Sequence, residues 1–181
     1  MTYRMRLYIN RMHQFDSHLC VAVNHTSQYR LIRDYFRVVS RLGDGVFWYG
    51  LMIGILIINA SQGVMPVFHM ALAGLFGTLL YKWLKGKTLR PRPYEVHQDV
   101  WLTGKPLDKF SFPSGHTLHA VIFTLVAISY YPQLALVLVP FAVMIGLSRV
   151  VLGLHYPSDV LAGAGIGAAI AGLSFLINPV F

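Results

Sequence analysis

The 181-residue sequence is poor in charge: 12% of its residues are Asp, Glu, Lys or Arg, against 55% that are apolar. Soluble domains carry about 25% charged residues, so an ordinary water-facing surface is excluded. Acidic residues are the scarcer sign, 7 against 15 Lys and Arg, for a net charge of +8. Cysteine is confined to Cys20, which excludes an intramolecular disulfide. Repeats and low-complexity linkers are missing, and the length suits one domain rather than two. The first 44 residues hold seven Arg and no uninterrupted apolar core, so they are not expected to act as a cleavable signal peptide.

What is present is apolar sequence in blocks. From Val46 onward, five stretches approach the roughly 20 residues that cross a bilayer. They run from about Val46 to Ala60, Val64 to Leu84, Pro113 to Tyr131, Leu134 to Leu154, and Pro157 to Ile177. The last carries Ala162-Gly-Ala-Gly-Ile-Gly-Ala-Ala169, small residues that permit close helix packing in lipid. Before them, Leu31, Ile32, Tyr35, Phe36 and Val39 recur at helical spacing opposite Arg30, Arg33, Asp34, Arg37 and Arg41. That pattern suits a helix lying in the membrane interface, or one packed on the bundle. The stretch from Phe15 to Val23 suits a second such helix, and its Asp16, His18 and Asn24 argue against a span.

The expected fold is therefore all-α. It is an integral-membrane helical bundle of about five transmembrane helices plus an N-terminal amphipathic segment. Residues 1–181 form a single domain, with 1–44 the amphipathic segment, 45–178 the bundle and 85–112 a polar loop. Threading the spans through a bilayer puts all 22 charged side chains on or near one side. Any chemistry belongs at that face. The basic charge does not point to nucleic acid, whose modules set Lys and Arg on a water-exposed soluble surface. The expected partners are the lipid bilayer and an anionic membrane lipid.

Three segments converge at the charged face. Lys85-Gly-Lys-Thr-Leu-Arg-Pro-Arg92-Pro93 is a cation cluster at the end of a span. Lys82, Lys87 and Arg90 suit simple head-group anchoring. Pro113-Ser114-Gly115-His116 places free backbone N–H groups at a helix start, where an anion is attracted. His116 alone would read as a capping residue. Ser148-Arg149 puts a charge within an apolar run, which is costly and usually functional. His155 precedes Pro157, and Asp159 opens the next helix, close enough to orient one imidazole nitrogen and leave the other as a nucleophile. Two histidines with at least three fixed cations match what phosphoryl transfer requires.

These segments resemble the three-part signature of the type 2 phosphatidic acid phosphatases: Lys, six residues, Arg-Pro; Pro-Ser-Gly-His; and Ser-Arg, five residues, His, three residues, Asp. Every signature position is matched, and the similarity covers roughly residues 40–175. The resemblance implies that His155 attacks phosphorus to form phosphohistidine and that Asp159 orients it. It implies that His116 protonates the leaving oxygen and then activates water. Lys85, Arg92 and Arg149, with Ser114 and the Gly115 N–H, would hold the phosphoryl oxygens. The family needs no metal or other cofactor, and the sequence offers no carboxylate cluster for Mg²⁺.

The implied substrates are membrane lipid phosphates. Undecaprenyl diphosphate comes first, followed by phosphatidylglycerophosphate and phosphatidic acid, with lipid A dephosphorylation or lipid phosphotransfer as the alternative. The small size argues against a vanadium haloperoxidase, and the intact His116, His155 and Asp159 argue against a non-catalytic anion binder. The expected location is the cell (inner) membrane. The clustered cations would point the active face to the cytoplasm, whereas the resemblance implies the extracytoplasmic side, which is the expectation adopted. His119 suits a packed core position, and Tyr94 and Trp101 suit the interfacial belt or a lipid entrance.

Overall fold

The computed structural model describes residues 3–177, which contain eight α-helices. They are α1 (Tyr3–Asn24), α2 (Arg30–Arg41), α3 (Phe47–Asn59), α4 (Val64–Thr88), α5 (Pro93–Val96), α6 (Gly115–Tyr130), α7 (Ala135–Val151) and α8 (Pro157–Ile177). No strand occurs among the described residues. The five apolar stretches correspond to α3, α4, α6, α7 and α8. Three helical segments are long and apolar enough to cross a membrane: Arg30–Val96, which includes α3 and α4, then Pro132–Val151 and Pro157–Ile177. Gly115–Tyr130 is apolar but shorter.

Helix α6 is the axis of the bundle. Leu118, Ala120, Ile122, Val126 and Ala127 are wholly buried, and the helix packs against α4, α7 and α8. The small-residue run of α8 allows this approach. A Cβ added at Gly163 would sit 2.5 Å from the Ser114 carbonyl oxygen, and one at Gly167 would sit 2.6 Å from that of Leu118. The outer surface is the reverse. Ile57, Ile58, Leu136, Leu161 and Leu176 are all more than two-thirds exposed. A belt of this kind is unfavourable in water and suits lipid.

Several boundaries differ from the sequence expectation. Helix α4 continues a turn past Leu84 and ends at Thr88, with Leu89 left-handed at φ 48°. Lys85 is therefore helical rather than the first loop residue. Its ammonium stays satisfied because Asp108 and the Phe110 carbonyl reach it. Helix α1 is longer than the Phe15–Val23 stretch and is docked on the bundle. Asn24 is buried, donating to the carbonyls of Trp101 (3.0 Å) and Val151 (2.9 Å) and accepting from Trp101 N–H (2.8 Å). Its polarity serves a bundle contact. Helix α2 packs along α7 and buries Val39 and Ser40 while leaving Leu31 and Tyr35 outward. It continues into α3 through a π turn, Leu42–Val46, kinked at Gly45 with φ 129°.

Candidate active site

The N-termini of α6 and α8 and the C-termini of α4 and α7 meet at one end of the bundle around a cavity of about 870 Å³. The α6 start is fixed by α8, since Ser114 N–H donates to the Asp159 carbonyl at 3.0 Å. Pro157 opens α8, where its missing N–H costs nothing. The turn between α7 and α8 folds back on itself, with the N–H groups of Leu154 and His155 both donating to the Arg149 carbonyl. Three segments distant in sequence thus become neighbours.

Lys85, Arg92, Gly115, His116, Arg149 and His155 all line the cavity. Arg92 Nη1 donates to the Leu154 carbonyl at 2.6 Å and lies 3.5 Å from His155 Nε2. A guanidinium can only donate, so Nε2 presents its lone pair and the ring proton belongs on Nδ1. That nitrogen faces Asp159 Oδ2 at 3.6 Å, slightly beyond hydrogen-bond range, and has no closer partner. Burial pushes the His155 imidazole down to about 3 against the pull of Asp159, and Arg149 and Arg92 lower it further. His155 is therefore held neutral, with the Nε2 lone pair toward Arg92 and the cavity. Arg149 is fully buried. Its Nη1 donates to Ser40 of α2, while its Nε has no partner among the described residues. An unsatisfied buried guanidinium N–H is a ready anion donor.

Ser114 and Asp159 do not line the cavity. Ser114 caps α6, its hydroxyl 2.9 Å from that of Thr117. Asp159 lies behind His155 and is wholly buried. It accepts from Tyr156 N–H at 2.9 Å, from Ser111 Oγ, and from Arg90 Nη1 at 2.6 Å. His119 joins α6 to α4 through Thr78 Oγ1 at 2.9 Å.

Other residues join this network beyond the expected site residues. Arg90, expected to anchor head groups, instead bridges Asp159, Ser158 and Asp16 of α1. Asp108 Oδ1 lies 2.7 Å from both Lys85 Nζ and Arg92 Nη2, so one carboxylate occupies both cations. Burial pushes the Asp108 carboxyl up, yet the Lys85 and Arg92 contacts hold it below its ordinary value. Asp44, in the kinked turn, bonds His116 Nε2. Among the described residues, no group of three or more His, Cys, Asp or Glu side chains is arranged to hold a metal ion.

The remaining wall is apolar. Trp48, Tyr49, Met52, Leu75 and Phe123 extend the cavity away from the cations along α3, α4 and α6. Tyr94 and Trp101 lie elsewhere: Trp101 stacks on His25, and Tyr94 packs near Cys20 and Tyr156.

Residues 62–180 match the PAP2 superfamily. A lipid A 1-phosphatase of Rhizobium johnstonii is 34% identical over 98 residues, which are 52% of this chain and 40% of that one. The undecaprenyl-diphosphatase BcrC of Bacillus subtilis is 29% identical over 125 residues, 69% of this chain and 64% of that one. Both matches therefore cover less than two thirds of the relative's length. The crystal structure of Aquifex aeolicus LpxE superposes with a TM-score of 0.76 at 31% identity, covering 88% of this chain and 93% of that one.

Proposed function

This chain belongs to the PAP2 superfamily, and we propose that it is a membrane phosphatase acting on a lipid phosphate or lipid diphosphate through phosphohistidine at His155. The supporting observation is a single cavity with two chemically different ends. His155 Nε2 lies beside Arg92 at one end, and the Trp48–Phe123 wall lines the other. A lipid enters with its head group against the cations and its chain along α3 and α4.

In the first step, Nε2 of His155 forms a bond to phosphorus as the ester or anhydride P–O bond breaks. Asp159 stabilises the resulting cationic ring, and His116 gives its proton to the leaving oxygen. In the second, His116 takes a proton from water, the water oxygen bonds phosphorus, and the P–N bond breaks to release phosphate. Arg92, Arg149 and Lys85, with the Gly115 N–H at the α6 start, neutralise the phosphoryl oxygens in both steps. The Ser114 hydroxyl supports that cradle by capping α6.

Undecaprenyl diphosphate is the first substrate to test, then phosphatidylglycerophosphate, phosphatidic acid and lipid A 1-phosphate. We assign one catalytic domain to the chain, with residues 3–44 docked on the bundle 45–177; residues 1–2 and 178 of the expected segments lie outside the described residues. We place it in the cell membrane with the active face extracytoplasmic. Internal pairing supports that orientation. Lys85, Arg90 and Arg92 are engaged by carboxylates, so they do not act as the free head-group cations on which the positive-inside rule depends. The direct test is phosphate release by the purified protein from each lipid in detergent. The wild type is expected to release phosphate and His155→Ala to release none. Undiminished release by the variant rejects the mechanism.

A further inference from the structure

His116 is held by a partner that lies outside the three signature segments. Its Nε2 bonds Asp44 Oδ1, and its Nδ1 takes part in no hydrogen bond among the described residues. Asp44 sits between two glycines whose placement is constrained. A Cβ at Gly43 would meet Ile145 at 3.1 Å, and Gly45 holds φ 129°, a region that side chains rarely adopt. The π turn thus packs against α7 on one side of Asp44 and breaks the helix on the other. This aims the carboxylate across the cavity mouth at α6. The other charged or titratable groups acting on His116 are Arg149 of α7 and His119 of its own helix. Lys85 and Tyr81 of α4 line the same space. Asp44 is the acidic group among them in contact with the ring.

We propose that Asp44 is a positioning residue for His116, forming a second Asp–His pair opposite Asp159–His155. This inference rests on the phosphatase reading above. By accepting the Nε2 proton, Asp44 fixes the tautomer and turns Nδ1 toward the leaving oxygen. When His116 is cationic, Nδ1–H is the proton delivered to that oxygen. When His116 is neutral, the Nδ1 lone pair receives a proton from the attacking water. Asp44 stays a carboxylate in both steps and transfers nothing itself. The sharp kink between α2 and α3 then has a chemical purpose, because a continuous helix would carry position 44 past the ring.

The test uses the full-length protein in detergent with two substrates. A lipid phosphate leaves as an alkoxide that needs a proton. p-Nitrophenyl phosphate leaves as a stable phenolate that does not. For Asp44→Asn, kcat on the lipid phosphate is expected to fall about 10- to 100-fold with KM little changed, part of the about 10²–10⁴-fold that general acid–base catalysis contributes. The initial burst of nitrophenolate should be preserved. In a double-mutant cycle, Asp44→Asn added to His116→Ala should cause no further loss, since the group it positions is already gone. A nitrophenolate burst slowed as much as lipid turnover, an additive double mutant, or unchanged kcat on the lipid would overturn the proposal. A wild type inactive on both substrates would instead remove the phosphatase reading on which it stands.

Discussion

Arg90 Nη1 lies 2.6 Å from Asp159 Oδ1, in a partly buried ion-pair network that also includes Asp16 of α1 at 2.7 Å. The guanidinium stacks on Tyr156, 4.1 Å from the ring centroid. One side chain therefore fixes the carboxylate behind His155 and fastens the N-terminal helix to the bundle. Removing one partner of a buried pair costs about 3–5 kcal/mol because the other charge is left unpaired. Arg90→Gln is expected to lower thermal stability in detergent by several degrees or more and to reduce kcat. Lys87→Gln at the nearby helix end, outside the cavity lining, should do neither. Parallel melting curves and phosphate-release assays check this.

Asp108 competes for the bed that the reaction assigns to phosphate. A phosphoryl group seated on both Lys85 and Arg92 must displace the carboxylate that now bridges them. Asp108→Asn keeps the shape and removes the competing charge. One charge-assisted hydrogen bond is worth about 1.5–3 kcal/mol, so inhibition by inorganic phosphate or vanadate is expected to tighten roughly 10-fold or more. Inhibition constants for wild type and variant measure it directly.

The buried imidazole of His155 sets a pH dependence of stability. Its pKa falls from 6.5 to about 3 on folding. Above the unfolded value neither state is protonated, and the group contributes nothing. As pH falls below 6.5, the unfolded chain takes up a proton that the folded one refuses, so stability is lost progressively toward 3. Asp108, held below its ordinary value, adds loss in the same direction at the acid end. The melting temperature of His155→Asn, compared with wild type, is expected to fall less steeply between pH 6.5 and 4. Parallel slopes would contradict this.

Gly163 tests how α8 positions the α6 start. A methyl there would lie 2.5 Å from the Ser114 carbonyl oxygen, a backbone atom with little room to retreat. Overpacking of this kind costs about 1–3 kcal/mol. Gly163→Ala is expected to lower stability and to reduce kcat, because Gly115 and His116 follow directly. Gly165→Ala, whose Cβ would meet nothing within 4 Å, should leave both intact.

Much of this arrangement was readable in the sequence because membrane helices and short motifs are local signals. The apolar stretches predicted α3, α4, α6, α7 and α8 to within a few residues, and the small-residue run predicted the close approach of α8. The three segments were legible because each lies within a dozen residues. Arg90, Asp108 and Asp44 were not, since their partners are 69, 23 and 72 residues away. Scarcity was the signal available. With 7 acidic residues in a chain of net charge +8, each carboxylate is outnumbered by cations, and Asp16, Asp44, Asp108 and Asp159 all lie in this network. Whether the N-terminal helices lie in the membrane interface or on the bundle stays open in the sequence for the same reason. Asp16, His18 and Asn24 argue against a span, but only the folded chain reveals that Asp16 and Asn24 bind Ser158, Trp101 and Val151.

The central claim is a covalent bond between phosphorus and His155. It is tested most directly by incubating the His116→Ala protein with ³²P-labelled substrate bearing a good leaving group, so that the bond forms while the water step is blocked. After quenching and proteolysis, the label should appear on the peptide carrying His155, stable to alkali and released by mild acid. Label on another residue, or turnover without any acid-labile phosphoprotein, would contradict the account.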